Sequence, residues 1–347
     1  MAMIELDGSE GEGGGQVLRT ALALSMITGM PLRIERIRAK RSKPGLMRQH
    51  LACVQAAMQI SGAECEGAEL GSQQLRFAPG PIRAGDYRYA IASAGSCMLV
   101  LQTVLPALLR ADGPSRLELQ GGTHNPLAPS FDFLARAYAP LARKLGAGLA
   151  LDLRRRGFYP AGGGMVMAEI TPAAGGLAPV NIAQRGAVQS LSAECIVAGL
   201  PRAIARRELD VLAEQLGWTQ DQLLVAASHQ NEGPGNALTA TLAHTEVTEV
   251  FTAYGAKGVN AETVAGTLAR EVGAYLASEA ALGPHLADQW LLLLALAVHD
   301  SGKPAHFTCT EITGHTSTNA SVIERFLPVA IRHAAQAGGH RVDIAPA

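Results

Sequence analysis

The chain has 347 residues, of which 48% are hydrophobic and 17% charged, with a formal net charge of −1 at pH 7. This composition is that of a folded globular protein and excludes a disordered chain, and the length predicts two domains rather than one. The near-neutral charge excludes a uniformly basic nucleic-acid binder but not a local basic groove, and the 4% aromatic content provides few platforms for stacking bases.

The N-terminus and the cysteines predict a cytoplasmic protein. Residues 1–8 contain no cationic segment followed by an apolar run, so no secretory signal is expected. The longest apolar run, residues 290–298, is too short to span a bilayer and indicates a buried helix, so no membrane contact is expected. The five cysteines are scattered and never form a C-x-x-C pair, which favours a reducing compartment over disulfides or a zinc site. They are Cys53, Cys65, Cys97, Cys195 and Cys309.

Hydrophobic periodicity predicts the same succession of elements three times along the chain. The first copy is a strand at 3–7, a helix at 16–28, a strand at 32–39, a helix at 46–60 and a hairpin at 64–77. The second is a strand at 87–92, a helix at 94–110, a strand at 116–120, a helix at 130–145 and a hairpin at 149–170. The third is a helix at 288–298, a strand at 305–312, a helix at 321–335 and a strand at 341–344.

A different succession interrupts the third copy between residues 184 and 277. Strands are predicted at 190–197, 223–227 and 237–243, and helices at 203–216 and 261–278. Because domains are readily inserted at exposed turns, this stretch is interpreted as a small inserted αβ domain. The predicted fold class is therefore α+β, with a large domain of three repeats, residues 1–183 and 278–347, and an inserted domain, residues 184–277.

The first motif whose residues suit catalysis or ligand binding is the glycine-rich segment 10–19, which opens the first helix. It lacks the third glycine of a dinucleotide-binding loop and the lysine of a P-loop. Three consecutive glycines at a helix start still expose N–H groups that suit a phosphate. Glu12 would repel a bare phosphate but could hold a Mg²⁺ ion that bridges it, and Arg19 lies one turn into the helix. The alternative is a tight turn with solvated acidic residues.

The second motif is the basic segment 33–49, in which seven basic residues accompany the single acid Glu35. Arg36, Arg38 and Lys40 alternate along the predicted strand, so they are expected to share one side. Such a run can be a solvated face, but in an otherwise neutral chain it creates a local positive field, and arginine suits a bidentate grip on phosphate.

Three further segments are weaker signals. The glycines of 156–166 can form a hairpin bend or a second phosphate loop, and the bend is favoured. The segment 285–289 opens the buried helix, which Asp288 could cap. His315 follows a predicted strand and precedes a predicted helix, for which Ser317, Thr318 or Asn319 could be the cap. A loop histidine at such a turn suits a nucleophile or a proton shuttle, or is simply a surface residue.

Motifs of other catalytic classes are absent from the sequence: there is no H-E-x-x-H, no Walker A motif, no G-x-S-x-G and no lysine-based ligase motif. If the protein activates a phosphate with a nucleotide, its nucleophile is not an obvious lysine. This absence favours His315.

In combination these segments resemble the RNA 3′-terminal phosphate cyclases, over nearly the whole chain. The segment from Arg156 to Gly164, R-G-F-Y-P-A-G-G-G, matches the signature of that family. The other matching segments are E-G-G-G-Q-x-x-R at 12–19, K-P-G-L at 43–46, A-G-S-C at 94–97, A-D-Q at 287–289, and His315 followed by Thr318-Asn319.

The resemblance implies a large domain of three βαβαββ units with a small inserted αβ domain. It also implies a three-step, ATP-dependent reaction on RNA 3′-phosphate ends. A histidine attacks the α-phosphate of ATP, AMP passes from that histidine to the RNA 3′-phosphate, and the neighbouring 2′-hydroxyl closes a 2′,3′-cyclic ester and expels AMP.

The resemblance also implies roles for individual residues. His315 is the expected nucleophile, and Glu12 is the expected ligand of Mg²⁺ or Mn²⁺. The residues expected to hold the phosphates of ATP or the RNA end, or to line the site, are Gln16, Arg19, Arg38, Arg41, Gln49 and Gln102. Pro129, with His285, Asp288 and Gln289, is expected to form the adenine pocket. Many members of the family have tyrosine where this chain has His285, and an imidazole stacks with less area.

Two alternatives remain at this point. A non-catalytic, cyclase-like RNA-binding assembly factor would have the same fold, but His315 and Glu12 argue against it. An enolpyruvyl transferase would share the repeated unit, but such enzymes are larger and need no histidine nucleophile.

Overall fold

The architecture is α+β, in a computed structural model that describes residues 3–91 and 94–347. The first of its sheets contains β1 (Ile4–Asp7), β2 (Leu32–Glu35), β3 (Glu64–Glu66) and β4 (Leu75–Ala78) in the order β1-β2-β4-β3. Strands β1 and β2 are parallel and the other pairs are antiparallel. Helices α1 (Gly15–Thr28) and α2 (Arg48–Ser61) connect them, and each ends at a glycine with positive φ, Gly29 and Gly62.

A second sheet repeats the strand order and directions of the first. It contains β5 (Asp86–Ala90), β6 (Ser115–Gly121), β7 (Gly148–Arg155) and β8 (Gly164–Thr171) in the order β5-β6-β8-β7. Strands β5 and β6 are parallel, and β8 is antiparallel to both of its neighbours. Helix α3 (Cys97–Leu108) follows β5. The predicted strand at 87–92 ends at Ala90, and Ala92 lies outside the described residues.

The helix predicted at 130–145 is present but changes its hydrogen-bonding pattern. It consists of α4 (Phe131–Phe133), a π-helical turn (Leu134–Tyr138) and α5 (Ala139–Lys144). Pro140 has no N–H group to donate to the carbonyl of Arg136, which disfavours regular α-helical bonding at this point.

A third sheet contains β13 (Ala305–Cys309), β14 (Val329–Gln336) and β15 (Gly339–Pro346), in the antiparallel order β13-β15-β14. Helix α8 (Pro284–Ser301) precedes it, and α9 (Gly314–Phe326) follows β13. The helix predicted at 321–335 is thus present, but its predicted bounds are wrong. The helix starts earlier and ends before Pro328, which cannot continue it, and β14 then pairs with β15 through a turn at Gly338.

The stretch between β8 and α8 forms a separate sheet. It contains β9 (Val188–Ala198), β10 (Leu223–Ala226), β11 (Gly235–His244) and β12 (Thr248–Tyr254) in the order β10-β9-β11-β12. Helices α6 (Ala203–Leu216) and α7 (Ala261–Ala277) pack on it around an apolar cluster of their own that includes Trp218 and Tyr275. Strand β12 was not predicted. The boundaries at 184 and 277 stay a prediction.

Helix α1 is the central helix of the large apolar core. It contacts α2, α3 and α9, and α9 also contacts α8. The starts of α1, α8 and α9 therefore come together, although they are far apart in the chain. No helix within residues 3–91 and 94–347 is long and apolar enough to cross a membrane.

Candidate active site

The start of helix α9 carries His315. Its cap is Thr313, whose Oγ1 accepts a hydrogen bond from the N–H of Thr316 at 3.0 Å. The caps predicted at Ser317, Thr318 or Asn319 are wrong, since the helix begins ahead of them. His315 is thus the second helical residue rather than a loop residue, and its side chain is 48% exposed. A helical backbone holds this imidazole in a defined direction while leaving it accessible to a ligand.

The glycine-rich segment is packed tightly against charged side chains. A Cβ atom on Gly14 would lie 2.3 Å from Oε1 of Glu12, and one on Gly15 would lie 2.4 Å from Nε2 of His50. Gly13 has a φ of 61°, in the left-handed region that favours glycine. Gly13 is thus favoured by its backbone conformation, whereas a larger residue at Gly14 or Gly15 would require the ends of the Glu12 and His50 side chains to move.

A chain of hydrogen bonds links His315 to a buried acid. Nδ1 of His315 lies 2.6 Å from Oε1 of Gln16, and Nε2 of Gln16 donates to Oδ1 of Asp288. An ionised carboxylate only accepts hydrogen bonds, so Gln16 presents its amide N–H₂ to Asp288 and its oxygen to His315. The histidine therefore donates from Nδ1, and in the neutral imidazole with this tautomer the lone pair lies on Nε2.

Asp288 is held by its neighbours as well as by Gln16. Oδ2 of Asp288 accepts a hydrogen bond from the side-chain amide of Gln289. Oε1 of Gln289 in turn accepts one from Gln102 at 2.6 Å. Asn319 donates to the backbone carbonyl of Asp288. Burial raises the pKa of Asp288, while the hydrogen bond from Gln16 and the charge on Arg19 oppose the rise. The predicted residues Gln16, Gln102, Asp288 and Gln289 are thus brought together with His315.

Arg19 lies at the same place, against a small cavity of about 30 Å³ that it shares with Gln16, Gln102 and Asp288. Burial lowers the pKa of Arg19, and the charges of Asp288 and Glu12 partly compensate. Arg19 therefore places a positive charge close to both acids of the site.

Glu12 combines a buried carboxylate with an oxygen that lacks a partner. Its side chain forms an ion pair with Arg41, and its Oε1 lies 3.6 Å from Nδ1 of His315. Oε1 is buried and has no hydrogen-bond partner among the described residues. No group of three potential metal ligands occurs in residues 3–91 and 94–347. A Mg²⁺ or Mn²⁺ ion fits here because Mg²⁺ commonly uses one or two carboxylates, substrate phosphates and water.

The basic segment reaches this site, but not as a strand. Strand β2 ends at Glu35, and Arg36 and Arg38 both have a φ of 54°, so the expected alternation along one side is wrong. The segment turns instead and bonds to itself, as Arg38 donates to the carbonyls of Lys43 and Gly45. Burial and the charge of Arg41 lower the pKa of Arg38, while Glu12 raises it, which indicates that all three groups are close.

His50 is a site residue that the sequence reasoning missed. Its Nδ1 accepts the N–H of Met47, so its Nε2–H points towards Gly15 at the start of α1. Burial and the charges of Arg38 and Arg19 lower the pKa of His50 to about 3, so it is neutral at physiological pH. A usable signal existed, because His50 lies three, four and seven residues before Cys53, Val54 and Ala57 on the buried face of α2.

Three predicted residues form no hydrogen bond with His315 or Gln16 within the described part of the chain. Gln49 accepts a hydrogen bond from the N–H of Ser96 at 3.4 Å, at the loop before α3. Pro129 is half-buried in the loop before α4. His285 is exposed, and its charge lowers the pKa of Glu271, which burial raises overall. Their predicted roles in binding phosphate or adenine stay predictions.

Comparison with known proteins agrees with the sequence resemblance. A family model described as RNA 3′-terminal phosphate cyclase matches residues 10–333. A protein of Ralstonia nicotianae with that name is 56% identical over 328 residues, covering 94% of this chain and 92% of the relative. A protein of Salmonella typhimurium with the same name is 51% identical over 342 residues, covering 99% of this chain and 98% of the relative.

Proposed function

Because the chain belongs to the RNA 3′-terminal phosphate cyclase family, we propose that it converts an RNA 3′-terminal phosphate into a 2′,3′-cyclic phosphodiester with ATP, through a covalent AMP adduct on His315. The observation that carries this proposal is the hydrogen bond between Nδ1 of His315 and Oε1 of Gln16. It supports the tautomer with the proton on Nδ1, in which the neutral imidazole has the lone pair that a nucleophilic histidine needs on Nε2.

In the first proposed step, Nε2 of His315 attacks the α-phosphorus of ATP. An N–P bond forms, the bond from that phosphorus to the bridging oxygen breaks, and pyrophosphate leaves with the electron pair. The imidazole ring becomes positively charged, with its remaining proton on Nδ1. Oε1 of Gln16 and the carboxylate of Glu12, at 2.6 and 3.6 Å, stabilise that charge.

In the second step, an oxygen of the RNA 3′-phosphate attacks the phosphorus of the bound AMP. The N–P bond breaks, and His315 becomes neutral again. In the third step, the 2′-hydroxyl attacks the 3′-phosphorus and loses its proton to solvent. AMP leaves with the electron pair of the broken P–O bond, and the cyclic ester remains.

The other site residues bind and orient charged groups in this proposal. Arg19, Arg38, Arg41 and Gln49 hold the phosphates of ATP or the RNA end, because guanidinium groups suit phosphate oxygens. Glu12 holds Mg²⁺ or Mn²⁺, which supplies charge neutralisation at the phosphates when bound. Pro129, His285 and Gln289 line the adenine pocket. Asp288 fixes the orientation of Gln16 and through it the proton on His315.

Three broader interpretations accompany this function. The equal strand orders of the first two sheets support a large domain of three βαβαββ units, residues 1–183 and 278–347. The separate apolar cluster in residues 191–276 supports an inserted αβ domain at 184–277. The scattered free cysteines support action in the cytoplasm.

The test is incubation of the protein with ATP labelled in the α-phosphate and Mg²⁺, followed by mass spectrometry. We expect acid-labile, alkali-stable AMP on wild type and on His299→Ala, a control at an exposed histidine, and none on His315→Asn. Wild type should then convert a 3′-phosphorylated RNA to the cyclic product. AMP at wild-type level on the His315→Asn variant contradicts the proposal. RNA binding without any AMP attachment indicates the non-catalytic assembly factor.

A further inference from the structure

Two loops outside the His315 site present large apolar side chains to solvent. The turn between β7 and β8 carries Tyr159, which is 65% exposed, and the loop between β6 and α4 carries Leu127, which is fully exposed. Leu127 also has a φ of 61°, a conformation that leucine rarely adopts. Neither side chain contributes to the apolar cores, and the proposed chemistry uses neither.

The two loops are joined side by side. The N–H groups of Thr123 and His124 both donate to the carbonyl of Gly157, at 2.9 and 3.0 Å. The rings of His124 and Phe158 are 5.3 Å apart, and these two residues form a β-bridge. Tyr159 is the next residue after Phe158, so its ring projects from a braced position rather than from a free loop.

Contacts connect this pair of loops to the active site. Gln49, next to His50 beside the start of α1, accepts a hydrogen bond from the N–H of Ser96. Ser96 forms a β-bridge with Gly122, the residue before Thr123. These contacts link the start of α1, which carries Gln16, to the loops that carry Leu127 and Tyr159.

Cationic side chains lie at both ends of this series of contacts. Three arginines, Arg154, Arg155 and Arg156, immediately precede the Tyr159 turn. Arg154, which is 62% exposed, pairs with Asp152, and Arg156 pairs with Glu232, while Arg155 is exposed and donates to the carbonyl of Asn231. At the other end lies the basic segment 36–48. Single-stranded RNA is bound by this combination of cationic groups that follow the backbone and an aromatic ring that stacks on a base.

We infer that Tyr159, supported by Leu127, is a stacking platform for a base of the RNA strand a few nucleotides before its 3′-phosphate. This inference rests on the proposed function, because it places the remainder of the same RNA substrate. An aromatic ring offers a sequence-tolerant surface, since every base has a π-face. The platform thus selects polynucleotide ends over small phosphorylated molecules.

The test compares Tyr159→Ala, Tyr159→Phe and Leu127→Gly with wild type. Glycine suits the positive φ at residue 127, so Leu127→Gly removes the side chain without straining the backbone. Leu224→Ala, at a leucine 59% exposed on β10, is the matched control. The substrates are a 3′-phosphorylated decanucleotide and a 3′-phosphorylated dinucleotide. The measurements are AMP attachment to the protein without RNA, and KM and kcat for each RNA.

We expect Tyr159→Ala to raise the KM for the decanucleotide about tenfold to hundredfold, the range of stacking on one base. AMP attachment and the KM for the dinucleotide should stay at wild-type values. Tyr159→Phe should behave as wild type because it keeps the ring, Leu127→Gly should have a smaller effect in the same direction, and Leu224→Ala should have none. An unchanged KM for the decanucleotide, or equal losses with both RNAs, overturns the inference.

Binding measurements separate this inference from the proposed function. Fluorescence anisotropy with the labelled decanucleotide needs no chemistry, so weaker binding of Tyr159→Ala supports the platform even if wild type forms no AMP adduct. Light scattering without RNA measures the oligomeric state. It tests whether a second copy of the chain, rather than RNA, covers Tyr159 and Leu127. An oligomer of wild type that Tyr159→Ala dissociates overturns the inference in favour of a protein interface.

Discussion

Nδ1 of His315 lies 2.6 Å from Oε1 of Gln16, the second residue of α1, and Gln16 is held in turn by Asp288. We predict that Gln16→Met slows AMP attachment to His315 about tenfold to hundredfold, because methionine keeps the size of glutamine but cannot accept the proton of Nδ1. The rate is measured in a single turnover with labelled ATP. Gln73→Met, at an exposed glutamine, is the control. A rate equal to wild type would mean that Gln16 does not orient the imidazole.

The ion pair between Arg41 and Glu12 predicts the effect of removing the arginine. Arg41→Ala should weaken the use of ATP or of the RNA end by about 1–3 kcal/mol, because it leaves a buried carboxylate without its charged partner and removes a proposed phosphate ligand. Arg33→Ala is the control, since Arg33 pairs with the exposed acids Glu5 and Glu35 of the same region. Equal kinetics for the two variants would show that the basic segment is a solvated surface without a role in binding.

The proposed order of steps predicts what happens when the RNA cannot close the ring. A strand whose terminal sugar lacks the 2′-hydroxyl should accept AMP on its 3′-phosphate and stop, because the ring-closing nucleophile is missing. A normal 3′-phosphate end should pass through to the cyclic product and free AMP, and a 3′-hydroxyl end should not react. Gel separation of labelled RNA distinguishes the three products. Reaction of the 3′-hydroxyl end as fast as the 3′-phosphate end would refute cyclisation.

Glu249 predicts a dependence of stability on pH. This carboxyl group is buried on β12 and accepts the N–H groups of Val250 and of Gly283, the residue before α8. Burial raises the pKa of Glu249 from 4.5 to about 8. A carboxyl whose pKa is higher in the folded state stabilises the fold least when ionised. The free energy of unfolding should therefore fall between about pH 4.5 and about pH 8, by an amount of the order of a few kcal/mol from this group.

Urea unfolding of wild type and Glu249→Gln at about pH 6 and about pH 9 checks this prediction, because glutamine does not ionise in that range. The stability that wild type loses on going to high pH should be largely absent from the variant. Other titrating groups contribute equally to both proteins, so equal losses would show that the pKa of Glu249 is not raised in the folded state.

The sequence predicted most elements of the fold because their signals are local. Helix α6, for example, matches its predicted bounds, since its apolar periodicity is clear. The prediction of a helix after Phe326 was wrong because Val329 and Ile331 fit a helical period as well as an alternating one. Pairing with β15, which the local sequence does not reveal, makes this segment a strand. The prediction of a strand through the basic segment was wrong because Arg36 and Arg38 take a positive φ, which arginine seldom adopts.

The candidate site was predictable only in part. Motifs identified Gln16, Asp288 and His315 one by one, but no pattern in the sequence states that the amide of Gln16 joins the other two. His50 was missed because it lies on the buried face of a helix, where a polar residue is easily taken for packing. Site residues whose positions are fixed by partners distant in the chain can be identified only from a structure.

The residues joined at the site are separated by 299 positions in the chain, and this separation has a consequence for biosynthesis. Chains emerge from the ribosome N-terminus first, and domains fold as they become available. Glu12 and Gln16 are made well before Asp288 and His315. A nascent chain therefore cannot complete the proposed active site until α8 and α9 have docked on α1. Such late, non-local docking is slow compared with local folding, so gain of AMP attachment should report the completion of folding rather than of translation.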